Sequence, residues 1–412
     1  DGKIFALPAG EVRLAAGFQY GDQSAEFDTD FLTQSAPPLY KDCLLSSETC
    51  SGDSIGSDDT KEVYAEVLVP ILKDATFAQS LNLTLGVRYS DYSTTGGTTN
   101  GTFKVDWKPV DDLLVRVSYA DIYRTPTIYD IFQAPTADAA TFTDPCVGLT
   151  SAAIADNPNL ALACVNVAPD TDFAQANAQI DGLLLGNNFL VGADPFEPEE
   201  GQAFTFGFVY EPQSLKGLSL SVDYWDYSID NVITQVDVNT TAQLCVVSGS
   251  PQFCGYINRF PDGSILQILE PTINLGSRDT SGVDFGVAYA LADTGFGDFR
   301  FGIDGTYTDK YDSTVAGIPV LEVAGYYDRQ YGNLAKWRTS LNVGWEFQNF
   351  TAQAILRRIS SIRLTDPDGG PFVDATVPEP VVGPSPDLKI AGQNYIDLSL
   401  GYTLESTDTR FQ

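Results

Sequence analysis

The sequence predicts an all-β chain, an antiparallel up-and-down transmembrane β-barrel wall with long, disulfide-tied extracellular loops. Three observations predict it. Apolar and polar residues alternate with period two in one segment after another. Short and long connections between those segments alternate. All six cysteines fall in long connections.

The alternating segments can be taken in order. Val12, Leu14, Ala16, Phe18 and Tyr20 form the first apolar row, and Val63, Ala65, Val67 and Val69 the second. In SLNLTLGVRYSDY, Leu81, Leu83, Leu85, Val87 and Tyr89 alternate with Asn82, Thr84, Gly86, Arg88 and Ser90. Phe103, Val105 and Trp107 follow, then Leu113, Val115, Val117 and Tyr119. The series continues with Phe204–Tyr210, Leu218–Tyr224, Val283–Tyr289, Phe299–Tyr307 and Trp337–Phe347. A segment near Thr351–Ser360 and a last row, Ile396, Leu398, Leu400 and Tyr402, bring the count to about 12 strands. Successive strand residues point to opposite faces, so each segment has one apolar and one polar side. The polar rows carry Arg88, Asp106, Arg116, Asp223, Asp284, Asp304, Arg338 and Glu346. These are expected to face a polar lumen, because an Arg turned to lipid at mid-membrane costs about 2–4 kcal/mol. Aromatics near the row ends, such as Tyr89, Tyr119, Tyr210 and Trp337, fit interfacial girdles. Arg88 should therefore point inward, with Leu83 and Leu85 exposed outside.

The connections read as residues 21–61, 71–79, 91–101, 109–112, 122–202, 212–217, 231–277, 292–297, 310–335, 348–349 and 361–393. Long ones alternate with short ones, which places them at opposite ends of the barrel. Cys43 and Cys50, Cys146 and Cys164, and Cys245 and Cys254 form three local couples in long connections. With no CxxC spacing and no His, metal binding is not supported, and three short-range disulfides in an oxidising compartment are expected. They would tie loops that lack a core of their own. Residues 152–189 leave room for one or two short helices, and 366–386 read as an irregular loop.

Composition excludes several functions. The net charge is -32 and the pI about 4.1, which speaks against nucleic acid. No His is present, so no Ser-His-Asp triad, HExxH zinc site or imidazole shuttle can form. No cofactor-binding motif is found, and no apolar run is long enough for a transmembrane helix. The EPEE cluster, Glu197–Glu200, reads as a solvated lead-in to a strand, and DPDGG at Asp366–Gly370 as a turn without calcium-loop spacing. Loop aromatics Tyr40, Phe253, Tyr256, Tyr326, Tyr327 and Tyr331 are candidates for a ligand surface, with loop packing the plain alternative. Tyr326, Tyr327 and Tyr331 are the first to test.

Four segments carry a resemblance. VRVSYADIYRTPTIYDIF, Val115–Phe132, contains an Arg-x-Pro element at Arg124 and Pro126. FEPEEGQAFTFGFVYEP, Phe196–Pro212, has Pro198, Glu199 and Gly207; LSLSVDYWDYSIDNVIT, Leu218–Thr234, has an Asp-Tyr-aromatic pattern. INLGSRDTSGVDF, Ile273–Phe285, matches at Asn274, Gly276, Gly282 and Asp284. In this order they resemble the barrel of TonB-dependent outer-membrane receptors.

The resemblance implies a barrel of about 22 strands closed around a plug. It implies a transporter and no enzyme, which binds and imports a scarce ligand of the siderophore, cobalamin or oligosaccharide class with energy from the Ton complex. It implies location in the bacterial outer membrane with the long loops extracellular. The partners would be outer-membrane lipid, lipopolysaccharide and, through an N-terminal region, TonB. No plug and no TonB box are seen in residues 1–412, so the chain reads as a barrel section of a longer receptor. The acidic balance disfavours highly anionic chelates, and loop aromatics favour sugars. The alternatives are a passive porin-type barrel and a secreted β-rich carbohydrate-binding or adhesin protein. A hydrolase built on Glu199 and Glu200 ranks third.

Overall fold

A computed structural model describes residues 1–404 apart from 36–39, 41, 46–49, 172, 174–177, 187–194, 316–319, 329–331 and 364–388. The first part of the chain forms β1 (Gly2–Leu7), β2 (Gly10–Phe27), β3 (Ser54–Ala75), β4 (Ala78–Tyr92), β5 (Gly96–Val110) and β6 (Leu113–Arg124). Then come α1 (Ile128–Phe132), β7 (Thr136–Phe142), α2 (Ser151–Asp156), α3 (Leu160–Ala163) and β8 (Ala178–Leu185). The middle holds β9 (Glu199–Tyr210), β10 (Leu218–Asp230), β11 (Ile233–Gln235), α4 (Val238–Ser248), α5 (Pro251–Gly255), β12 (Ile257–Arg259) and β13 (Ile265–Asn274). The remainder holds β14 (Ser277–Thr294), β15 (Gly297–Thr314), β16 (Leu321–Glu322), β17 (Tyr327–Asp328) and β18 (Gly332–Asn333). It ends with β19 (Trp337–Phe347), β20 (Phe350–Ile359), β21 (Ile362–Arg363), β22 (Lys389–Ile390) and β23 (Gln393–Tyr402).

One sheet of 14 strands dominates, in the order β1-β2-β3-β4-β5-β6-β9-β10-β14-β15-β19-β20-β23, with β16 on β15. Neighbours along this path are antiparallel and follow chain order, as in an up-and-down barrel wall. No ladder joins β1 to β23 among the described residues.

The period-two pattern decides which side each residue takes. Leu83, Leu85 and Val87 face the same way as Val105, Phe103 and Gly101 opposite them. This face is uncovered: Val87 is 50% exposed, Phe206 47% and Leu85 41%, while Leu83 is half-buried. Rows of large apolar groups left open on a sheet are a surface for lipid. Tyr307 and Trp337 pack together on it, ring centroids 4.6 Å apart, near the end of the strands that carries the long loops.

The strand reading holds with two corrections. The count is higher than about 12, because β1 went unseen: its ladder with β2 slips by a bulge between Lys3 and Phe5, which breaks the alternation. The connection read at 91–101 shrinks to residues 93–95, since β4 and β5 run on as a hairpin. Strands also outgrow their apolar rows. β3 has 22 residues, twice what about 9–11 residues need to cross hydrocarbon. Its stretch SDDTKE, residues 57–62, has no apolar row to be recognised by.

A third correction concerns the loops, which do have a core. β7, β8, β11, β12 and β13 form a second sheet, with β8 parallel to β13. Phe142, Leu149, Val167, Val238 and Ile268 are buried in it around Cys146–Cys164. Leu183, Leu185, Val236, Leu244, Tyr256 and Ile273 form an adjoining cluster. The short helices α2 and α3 lie where residues 152–189 left room for them. All three disulfides form as expected: Cys43–Cys50, Cys146–Cys164 and Cys245–Cys254.

The two faces of β19 give a direct test. Leu341→Arg, on the apolar face, should lower folding stability in lipid vesicles by about 2–4 kcal/mol. Asn342→Arg, one residue on and on the polar face, should change it by less than about 1 kcal/mol. Equal losses in a denaturant titration would reject the assignment of faces.

Candidate functional site: the polar face and the loop layer

All eight charged residues expected on the polar rows share one face of the sheet. Register carries it across the wall: Asp106 pairs with Arg116, Arg116 with Gly207, Gly207 with Asp223, and Asp223 with Asp284. Asp284 continues to Thr306 and Thr306 to Arg338, while Asp304 lies opposite Gly286 and Ser340, and Glu346 opposite Asp298. Arg88 belongs to the same face through Asn100 of β5.

Six of these residues fall into three groups. Arg88 donates from Nε to Glu62 at 3.1 Å and also pairs with it through Nη2; Ser90 bonds the same buried carboxylate at 2.8 Å. Arg116 forms a fork on Asp223, 2.7 and 2.6 Å, reaching from β6 to β10 over β9. Gly207 lies beneath that fork, where any Cβ would collide with the Asp223 carboxylate, so only glycine lets the pair cross. Asp223, Asp284, Asp304 and Arg338 line a pocket of about 690 Å³ with Arg357 and Tyr395. There Asp284 accepts from Thr306 Oγ1 at 2.7 Å, and Arg338 donates to the Asn333 carbonyl at 2.6 Å. Arg357 bonds Asp397 at 2.8 Å and lies 5.9 Å from the Tyr395 ring centroid. Glu346 stands apart, paired at 3.6 Å with Arg300. Arg357 and Tyr395 escaped the sequence reading; their only signal is their alternate position on β20 and β23.

The loop aromatics divide. Tyr256 is buried in the loop core, its hydroxyl accepting from Gln252 Nε2 at 3.0 Å, and Phe253 meets it edge-on at 6.1 Å. Tyr40 packs on the same cluster. These three rings serve loop packing. Tyr326 instead lines a pocket of about 790 Å³ with Lys310, Lys336, Arg363 and Trp337. Tyr327 is exposed on β17, outside that pocket's lining, and Tyr331 lies outside the described residues.

In the EPEE segment Glu197 and Glu200 are exposed, as a solvated lead-in to a strand requires, but Glu199 is not. Glu199 is 7% exposed and takes both forks of Arg124, at 2.7 and 2.6 Å, while the Ile233 N–H donates to it at 2.8 Å. Arg124 also reaches Asp130, which closes a capping box on α1 with Thr127. One strand further along, Asn274 donates to the carbonyls of Glu197 and Asn231 and accepts from the Glu197 N–H. The Arg-x-Pro, Pro-Glu and Asn-x-Gly elements, distant in sequence, therefore meet at the loop ends of β6, β9, β10 and β14. They strap down both ends of residues 125–198 and 231–276, which hold the loop core. A carboxylate run read in one dimension gives no sign that its third residue is taken up by an Arg 75 residues away.

Electrostatically the loop layer is one-sided. Arg259 is the only Lys or Arg in residues 125–198 and 231–276. It is 1% exposed and wholly committed, bonding Asp144 at 2.7 and 2.8 Å and the carbonyls of Ala163 and Gly263 at 2.9 Å. On the loop sheet, burial pushes the Glu270 carboxyl up to about 8, with Asp138 and Asp237 adding to the shift. Among the described residues no group of acidic or thiol side chains is arranged to hold a metal ion.

Comparison with known proteins agrees with this architecture. Residues 3–411 match the family model described as TonB dependent receptor-like, beta-barrel. The solved siderophore receptor PirA of Acinetobacter baumannii is similar at TM-score 0.56 and 12% identity, over 97% of this chain and 46% of that one. A mutant of the ferric enterobactin receptor PfeA of Pseudomonas aeruginosa, solved with enterobactin, is similar at TM-score 0.57 and 13% identity, over 96% and 44%. The FrpB iron transporter of Neisseria meningitidis is similar at TM-score 0.52 and 14% identity, over 95% and 45%. The chain thus spans less than half the length of these receptors. No curated protein matches it.

The strap at the loop base can be measured by a double-mutant cycle. Arg124→Ala and Glu199→Ala should couple by about 1–3 kcal/mol. Arg124→Ala alone should speed proteolysis within residues 125–198 and leave the barrel's heat-modifiable gel shift intact. Additive effects with no change in cleavage would show that the pair holds nothing down.

Proposed function

This chain belongs to the TonB-dependent receptor-like β-barrel family, and from that premise we propose that it forms wall and mouth of an outer-membrane receptor that imports a scarce ligand. The family is one of receptors and transporters, and the proposal is accordingly a transporter and no enzyme. In this reading the apolar face meets outer-membrane lipid and lipopolysaccharide, and the polar face lines the lumen. The long connections face outward. TonB engages a part of the receptor N-terminal to the barrel and supplies the energy.

The observation that carries the ligand reading is the pocket where Arg338, Arg357 and Tyr395 stand among Asp223, Asp284 and Asp304. Its 690 Å³ suits a ligand of siderophore size. Guanidinium forks bind anionic oxygens, and an aromatic ring offers a stacking face. The solved neighbours named for siderophores and iron point the same way, so a ferric siderophore is the first ligand class to test. The three Asp residues favour a second reading, an oligosaccharide whose hydroxyls donate to carboxylates.

The experiment is uptake and binding by the full-length receptor. Ferric siderophore uptake should stop when the proton-motive force is dissipated. Arg338→Ala with Arg357→Ala should weaken siderophore binding about tenfold or more, as expected for losing two charge-assisted contacts. Oligosaccharide binding lost in Asp284→Asn with Asp304→Asn would select the second reading. Energy-independent flux of small solutes would reject active transport in favour of a passive pore.

A further inference from the structure

Glu270 is the odd residue of the loop layer. It lies on β13, is 4% exposed, and its Oε1 has no hydrogen-bond partner. The backbone at Val238, the first residue of α4, approaches the carboxyl. Its carboxyl lies over Gly182 of β8, where a Cβ at that glycine would collide with Oε1 and would stand 3.5 Å from Asp138 Cβ. Gly182 pairs with Asp138 of β7 on one side and Ile268 of β13 on the other. The carboxyl therefore occupies a slot between three strands and a helix start.

The groups facing it are all of one sign. From β7 comes Asp138. From the start of α4 comes Asp237, which caps the helix by accepting from the N–H groups of Asn239 and Thr240. α4 itself and β11 contain no charged residue. β12 contributes Arg259, which is used up on Asp144. Neither of these two loop segments has another Lys or Arg to offer the slot as a counter-ion. A buried carboxyl so placed is held without charge.

We propose that Glu270 is a proton-controlled latch of the loop layer: as a carboxylic acid it seals β7, β8 and β13 against the start of α4, and its ionisation opens that seam to water. The opened seam hydrates the new charge and separates it from Asp138 and Asp237. The sign follows from linkage. The closed state keeps its proton up to about pH 8, whereas the opened carboxyl titrates near its ordinary 4.5. Closure is therefore strongest below pH 4.5, weakens as pH rises through the interval, and changes no further above about 8. The idea rests on the loop layer's own packing and not on any ligand, so it can fail without touching the transport reading.

Amide hydrogen exchange on the intact receptor in detergent tests it, with rates corrected for the intrinsic pH dependence. Protection of β8, β13 and the first turn of α4 should fall about tenfold per pH unit between pH 5 and 8, then level off. In Glu270→Gln the same amides should stay flat with pH. Should that variant fail to assemble, Asp138→Asn serves: removing a facing charge should narrow the pH range over which protection falls. Wild-type protection that is flat with pH, an unchanged slope in Glu270→Gln, or an unchanged pH range in Asp138→Asn would overturn the latch.

Discussion

Hydrocarbon offers backbone amides no water to bond, so a strand that crosses it must be paired on both sides and must keep its apolar side chains on one face. From β2 to β20 every strand of the large sheet's path is paired on both sides, with its apolar row on one face. Because the side-chain period is two, slipping any strand by one residue would turn Arg88, Arg116 or Arg338 to lipid and Leu85 or Leu341 to the polar side. Register is thus fixed by solvent on both faces. The charged row then follows as a consequence, running from Asp106 of β5 to Arg338 of β19 through cross-strand neighbours, with Gly207 and Thr306 between the charges. The pairing of Arg116 with Asp223 across Gly207 shows how closely side chains are fitted to that register.

A different constraint rules the mouth. Two long connections must come to rest over the wall with almost no positive charge to neutralise their carboxylates. They do so by burying apolar clusters around two disulfides and spending the one available cation, Arg259, at the centre. A buried, fully bonded Arg–Asp pair defines a unique arrangement even where it adds little net stability. At the base, Arg124 comes from the wall to hold Glu199, and Asn274 straps two backbone segments. Family motifs that look like loose strand-end patterns are therefore joints between wall and loop layer. The same shortage of cations leaves Glu270 with two carboxylates for company.

How much of this could be read from sequence depends on the length scale of the interaction. The strands, their faces and the three disulfides depend on residues close in sequence and were legible. So was the common face of all eight charged residues. β1 was hidden because a bulge breaks its period, and the hairpin around residues 93–95 because its outer turns are polar on both faces. The loop core was invisible for a deeper reason. Its parallel pair β8–β13 joins residues some 85 positions apart, and nothing local in LLL or ILQILEP announces the partner. Phe253 and Tyr256 looked like ligand rings because a lone loop has no inside; once two loops pack together, they are its inside. Likewise Glu199 seemed solvated only because Arg124 is far away in the chain.

The most direct test of the account is the solvent seen by neighbouring positions on one strand. Spin labels at Leu85→Cys and Val87→Cys, and at Thr84→Cys and Gly86→Cys, can be read in lipid vesicles for access to oxygen and to a water-soluble nickel chelate. The account predicts alternation with period two: residues 85 and 87 open to oxygen, residues 84 and 86 open to the chelate. Uniform access to the chelate along all four positions would contradict a membrane-spanning wall.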